Sequence, residues 1–326
     1  MNAIRLTEHS KSLLNLHGAS RWIEAHNGLS AHIGSTCRVT DADGSAKCFD
    51  AVWVSSLTTS AASLLPDAEL HLLDQRLELA LQICEASAKS VVLDGDTGGE
   101  ILAFQYLVRR LERIGAAGVC IEDKRLPKRN SFSGDGHHHL EDPEQFAAKV
   151  RAGVAARKPF GPRIIARLES LIAGETIERA LYRARLYADA GADAVLIHSI
   201  RDSGELFNFI EAARHPETGR LHELPIICVP TAYPQMRDSE LFAAGFNVVI
   251  YANHLLRASI AAMRDTASRL LADEGPAGCD GDLVAMRDLL ALIGGGSAAA
   301  PTDDSQPADA SESRDLETIL AARSQV

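Results

Sequence analysis

Short apolar and β-branched runs recur along this chain, and each gives way to a segment whose apolar positions return at helical spacing. The runs lie at residues 29–33, 49–55, 90–94, 118–122, 163–168, 194–198, 225–229 and 247–251. Eight strands separated by helix-length segments are what a TIM (β/α)8 barrel requires. A doubly wound open sheet fits the alternation almost as well, and the strand count favours the barrel. The clearest helix is 176–190. Thr176 stands at its cap, Ile177, Leu181, Ala184 and Ala188 form one stripe, and Gly191 stands where it ends. From Gly294 the pattern stops. Gly-Gly-Gly-Ser-Ala-Ala-Ala-Pro leads into an Asp/Ser/Pro-rich stretch with too little apolar surface to offset ordering entropy. The expected organisation is a barrel over 1–293, with a loop at 277–282 before a last helix at 283–293, and a disordered tail over 294–326.

Composition narrows the partners. At 326 residues and 46% hydrophobic, the chain can bury one large core. A formal charge of -11 argues against a nucleic-acid surface, so a small-molecule substrate is the expected partner. The six cysteines include no CxxC pair and several sit in apolar runs, as reduced thiols of a cytoplasmic protein would. No apolar run is long enough to cross a bilayer, and the N-terminus lacks a signal-peptide core.

A barrel of this kind carries its active site at the C-terminal ends of its strands. Those ends read Trp53 and Ser55, Asp94 and Asp96, Glu122, Arg167 and Glu169, His198, Thr231 and Asn253, with Asp67 beyond the second strand's loop. Two neighbouring strands that both end in carboxylates give an oxygen-rich cluster suited to Mg²⁺. Zinc fits less well, because no Cys/His pair has a useful spacing. Mg²⁺ keeps several waters, so one direct carboxylate with the others acting through water is expected. The richest segment is 118–131. Strand residues Val119, Cys120 and Ile121 lead to Glu122 and Asp123, then to a proline-pinned loop whose Lys124, Arg125, Lys128 and Arg129 suit an anion. Plainer readings stand beside these. Asp123 and Lys124 fit a surface pair, Arg167 a structural salt bridge to Glu169 or Glu122, and His198 a satisfied core histidine. Cys120 reads as packing, and His137-His138-His139 as solvated loop residues.

Glu122-Asp-Lys-x-x-Pro-Lys-x-Asn-Ser131 resembles the gating-loop motif of the phosphoenolpyruvate mutase family, within the isocitrate lyase/phosphoenolpyruvate mutase superfamily. Glu24-Ala-His-Asn-Gly-Leu-Ser30, Trp53-x-Ser-x-Leu57, Asp94-Gly-Asp-Thr-Gly98, Ala166-Arg-Leu-Glu169, Ala190-Gly-Ala-Asp-Ala194 and Ala252-Asn-His-x-Leu-Arg257 extend the resemblance, in order, from about Ser20 to about Ile293. It implies a TIM barrel with a C-terminal helix swapped between subunits of a homodimer or homotetramer. It implies Mg²⁺, with Mn²⁺ as a substitute, and interconversion of phosphoenolpyruvate and 3-phosphonopyruvate. Asp94 would be the direct metal ligand, with Asp67, Asp96 and Glu122 acting through water. Backbone N–H groups at Ser56 and Leu57 would bind the substrate carboxylate beside Trp53. Ser55, Asn130, Ser131, Arg167 and His198 would surround the phosphoryl group. Asp67, Lys128, Asn130, Arg167 and His198 would form the catalytic set, with Lys128 travelling on the closing loop.

Three positions depart from the family pattern: the shortened Asp-Thr-Gly-Gly99-Glu100, Leu126 where an aromatic is usual, and Ser56 where glycine is customary. The competing expectations are a phosphonopyruvate hydrolase, a carbon–carbon lyase of the isocitrate type and a non-catalytic binding barrel. Such a lyase would carry Lys-x-Cys-Gly where this chain has Pro127-Lys-Arg-Asn130. The intact Asp94/Asp96/Glu122 set argues against loss of catalysis, since buried charge without a use is costly.

Overall fold

A strand covered on both faces reads as a near-continuous apolar run, and Ser90-Val-Val-Leu-Asp94 is buried at every position. The computed structural model describes residues 14–41, 44–133, 138–199 and 203–294. Its strands are β1 (Ser20–Ala25), β2 (Arg38–Thr40), β3 (Ala46–Cys48), β4 (Ala51–Val54), β5 (Ser90–Asp94), β6 (Gly118–Glu122), β7 (Arg163–Leu168), β8 (Ala194–Ile197), β9 (Ile226–Cys228) and β10 (Val248–Tyr251). Strands β2 and β3 form a separate antiparallel pair, and the other eight close into a parallel barrel in which β10 returns to β1. This is the expected TIM barrel. The helices are α1 (Gly28–Thr36), α2 (Ser56–Ala62), α3 (Leu73–Ala86), α4 (Ile101–Ile114), α5 (Pro143–Ala156), α6 (Ile177–Asp189), α7 (Ser203–Ala213), α8 (Asp238–Ala243), α9 (His254–Ala272) and α10 (Met286–Leu292).

The first strand corrects the sequence expectation. Residues 29–33 belong to α1, where Asn27 caps the helix by accepting from the Ser30 N–H at 2.8 Å. Ala31 and Gly34 face inward there, while Leu29 and Ile33 are exposed. The barrel strand lies earlier, at Ser-Arg-Trp-Ile-Glu-Ala, where a wholly buried Glu24 interrupts the apolar run. Glu24 Oε1 accepts from the Leu256 N–H at 2.8 Å, so its carboxylate serves the first turn of α9. The helix expected at 176–190 is α6, with Thr176 accepting from Arg179 N–H at 3.3 Å and Gly191 following at φ +104°. The helix expected at 283–293 is shorter, and 280–282 is a 3₁₀ turn rather than plain loop.

Alternation along the strands sorts the core into two layers. One lies between barrel and helices, around Phe104, Val108, Phe146, Ile164 and Tyr187. The other fills the barrel itself with Trp22, Trp53, Val92, Cys120, Ile165, Leu196, Ile227 and Ile250. Cys120 is thus a packing residue, as read from the sequence. The chain divides into two units, 1–262 with the barrel and 263–326. Within the second, Arg269 pairs with Asp282 at 2.7 Å, and Leu271, Val284, Met286 and Ile293 are exposed. Among the described residues, no helix is long and apolar enough to cross a membrane.

Candidate active site

Two residues beyond the interior Val92, Cys120 and Ile165, the same alternation brings Asp94, Glu122 and Arg167 to the strands' C-terminal ends. Glu122 pairs in register with Arg167 across β6 and β7. Arg167 binds Glu169 through Nε and lies 3.4 Å from Glu122 and 3.9 Å from Asp94. His198 follows β8, its Nδ1 3.0 Å from Arg167 Nη2 and 3.2 Å from Glu169 Oε1. The salt-bridge reading of Arg167 is therefore correct, and the same side chain also lines the pocket.

The segment 124–131 folds inward over this rim. Lys128 Nζ donates to Asp67 at 2.8 Å, to Ser56 Oγ at 3.2 Å and to Asp96. Asn130 Nδ2 donates to the other Asp67 oxygen at 2.7 Å. Lys124 fixes the returning end, donating to Ser131 Oγ at 2.8 Å and pairing with Glu169 at 2.9 Å. Ser131 donates to Glu169 at 2.8 Å and accepts from Arg167 at 3.1 Å. Asp123 and Lys124 are not a surface pair, because both are buried. Asp123 accepts from the Glu169 N–H at 2.9 Å, Tyr187 OH at 2.7 Å and Arg183 at 3.3 Å, so it ties β6 to β7 and α6. Leu126 stays 60% exposed at the turn. His137 lies outside the described residues.

A pocket of about 50 Å³ remains beneath the loop. Trp53, Ser55, Ser56, Leu57, Asp67, Asp94, Asn130, Ser131, Arg167 and His198 all line it. Asp96 adjoins it through Lys128, and Glu122 stands behind Arg167 and Lys124. Sequence reasoning missed Arg76, whose Nη2 donates to the Asp94 carbonyl at 2.9 Å and lies 3.2 Å from Asp96. It comes from α3 rather than a strand end, so nothing in the strand pattern points to it. Phe132, edge-on to His198, was missed as well.

Electrostatics divides these groups. Burial pushes Glu122 up to about 7 despite nearby Lys124 and Arg167, and neither carboxylate oxygen has a hydrogen-bond partner. Burial would also raise Asp96, but Lys128 and Arg76 outweigh it and hold the carboxyl below its usual range. For Glu169, burial is overcome by Arg167 and Lys124, and the group sits well below normal. Burial lowers His198, with Arg167 adding to the effect against Glu169, so the ring is neutral at neutral pH.

Among the described residues, no three Asp, Glu, His or Cys side chains converge as a ready metal cage. The Lys128 ammonium stands between Asp67 and Asp96 instead. The all-oxygen set and the orphaned Glu122 carboxylate nevertheless fit a hard divalent cation that keeps its waters.

A closed (β/α)8 barrel whose rim gathers carboxylates, an arginine and a histidine beneath an inward-folded basic loop defines a barrel enzyme for a small anionic substrate. The phosphoenolpyruvate phosphomutase family profile matches residues 11–271, and the chain belongs to that family. A phosphoenolpyruvate phosphomutase of Tetrahymena pyriformis is 34% identical over 295 residues, 90% of this chain and 93% of the relative. The crystal structure of a phosphoenolpyruvate phosphomutase from Streptomyces platensis subsp. rosaceus superimposes with a TM-score of 0.77 at 36% identity, covering 85% of this chain and 91% of that one. A phosphonopyruvate hydrolase solved in complex with oxalate and Mg²⁺ gives 0.75 at 30% identity, covering 87% and 93%.

Proposed function

We propose that this protein is a phosphoenolpyruvate mutase, moving a phosphoryl group between the enol oxygen of phosphoenolpyruvate and its C3 to interconvert it with 3-phosphonopyruvate. The observation that carries the reading is Asn130 and Ser131, brought by the inward loop into one pocket with Arg167 and His198, while among the described residues no cysteine lines that pocket. A carbon–carbon lyase would need an acid there to protonate its leaving enolate.

The residues divide the work. Backbone N–H groups at Ser56 and Leu57, at the start of α2, suit the substrate carboxylate, the Ser56 N–H giving up its long 3.4 Å contact with Asp94. Arg167, Asn130, Ser131, Ser55 and neutral His198 surround the phosphoryl group, whose charge spreads over three oxygens in a loose transition state. When His198 Nδ1 accepts from Arg167, the neutral ring carries its proton on Nε2, which can donate to the phosphoryl group. Asp94 would hold Mg²⁺ directly, or Mn²⁺ in its place, with Asp67, Asp96 and Glu122 reaching it through water. When bound, the cation supplies positive charge against the enolate. Lys128 and Asn130 close the loop over Asp67 and keep water from phosphorus. No protein nucleophile is required.

Phosphonopyruvate hydrolase is the second reading, favoured by the hydrolase's nearly equal structural likeness. Phosphorus NMR of phosphonopyruvate incubated with protein and Mg²⁺ decides between them. Phosphoenolpyruvate as product supports the mutase, inorganic phosphate replaces it with the hydrolase, and an unchanged spectrum sinks both.

Around this site we infer one barrel domain over 1–293; the tail expected over 294–326 lies outside the described residues from 295 onward. We infer assembly as a homodimer or homotetramer through an exchanged C-terminal helix. The exposed Leu271, Val284, Met286 and Ile293 within 263–326 support that assembly. The absence of any disulfide among the cysteines of the described residues supports a cytoplasmic setting.

A further inference from the structure

Ser56 stands at the first position of α2, directly after the capping Ser55, and is almost fully buried. Its hydroxyl donates to Asp94 Oδ2 at 2.9 Å, and its N–H points to the same oxygen at 3.4 Å. The hydroxyl also accepts from Lys128 Nζ at 3.2 Å. A hydroxyl has one proton to give and lone pairs to receive with, so this arrangement uses both capacities. A hydrogen-bonded chain runs from the loop lysine through Ser56 to Asp94. Among the described residues, Asp94 Oδ1 meets the Asp96 N–H at a long 3.4 Å.

We propose that Ser56 is a positioning residue: its hydroxyl fixes the Asp94 carboxylate through Oδ2, leaves Oδ1 as the oxygen that would take a cation, and links that carboxylate to the closed loop. This rests on the reading of Asp94 as a metal ligand. Glycine at this position could supply the N–H but neither the second bond to Oδ2 nor the acceptor for Lys128. A ligand carboxylate held by a partner loses less freedom when the metal arrives, and removing such a partner costs about 10- to 100-fold in metal affinity.

The structure also provides the control. A second cavity of about 240 Å³ is lined by Ser56 together with Thr59, Ser60, Glu69, Arg76, Asp94 and Asp96. Ser56→Thr keeps a hydroxyl at this position, and the cavity beside residue 56 is the space open to its added methyl group.

The test is a titration of metal-free protein with Mn²⁺, without substrate, following free Mn²⁺ by electron paramagnetic resonance. Thermal melting confirms that each variant is folded. Ser56→Ala and Ser56→Gly are expected to bind Mn²⁺ about tenfold more weakly or worse, and Ser56→Thr to bind as wild type does. Equal affinity in wild type and Ser56→Ala overturns the proposal. If wild type fails to bind Mn²⁺, or Asp94→Ala binds it as tightly, the metal assignment itself fails and takes this inference with it.

Discussion

Asp94 and Asp96 are two residues apart and share Ser56 as a neighbour, but Lys128 and Arg76 pair with the second carboxylate, whereas Arg167 stands 3.9 Å from the first. Their loss should therefore differ. Asp94→Ala is expected to abolish turnover at any Mg²⁺ concentration, whereas Asp96→Ala should raise the Mg²⁺ requirement and retain partial activity; a Mg²⁺ titration of initial rates separates the two. Asn130 donates from the loop to Asp67 and faces the phosphoryl pocket. Asn130→Ala should cost about 1–3 kcal/mol, the scale of a hydrogen bond to a charged group, or roughly ten- to a hundredfold in rate. Because water then competes better, the ratio of phosphate to phosphoenolpyruvate formed from phosphonopyruvate should rise, which phosphorus NMR reads directly. Glu169 is the ionised centre beneath Arg167, Lys124 and His198, its folded pKa well below the ordinary 4.5. With the folded value depressed, its stabilisation is fully present above about 4.5 and is lost as pH falls through the folded pKa. Glu169→Gln should cost about 3–5 kcal/mol at neutral pH by leaving buried cations uncompensated. It should also flatten the acid limb of a stability–pH profile measured by urea unfolding.

The loop at 124–131 behaves as an element of its own, tied by Lys128 and Asn130 at its tip and by Lys124 and Ser131 at its base. Arg125 and Arg129 are exposed on its outside. Trypsin should cut there when the tip is released, and Mg²⁺ plus phosphonopyruvate should protect it; equal cleavage with and without ligand would rule out gating. Helix α5 packs by a different rule. A Cβ at Gly153 would meet the Phe104 ring and the Ile164 side chain. Gly153→Ala should therefore destabilise the barrel by about 1–3 kcal/mol despite the better helix propensity of alanine, as thermal unfolding would show.

Elements of this kind differ in how far the sequence exposes them. Strands such as β5 and β6, apolar up to a terminal acid, announce both the barrel and the site. Strand β1 does not, because its buried Glu24 serves the first turn of α9, a partner far away in sequence. The helical 29–33 reads as a strand because Leu29-Ser-Ala-His-Ile33 alternates apolar and polar residues over a stretch too short to show a helical period. Arg76 reaches Asp94 from a helix, and only the closed barrel brings the two together.

At the scale of the whole molecule, the apolar side chains exposed in 263–326 make the oligomer testable. Sedimentation should give a dimer or tetramer mass, and charged substitutions at Leu271 and Ile293 should shift it toward monomer. The barrel interior has an optical consequence as well. The chain has two tryptophans, Trp22 and Trp53, both buried, with rings stacked 6.3 Å apart. Trp53 also forms a wall of the substrate pocket. All tryptophan emission thus originates inside the barrel, from a pair of which one member touches the ligand space. Filling that space should change the emission without any attached dye, and the change should survive Trp22→Phe and vanish in Trp53→Phe. The protein carries its own fluorescent readout of occupancy, placed where the chemistry is.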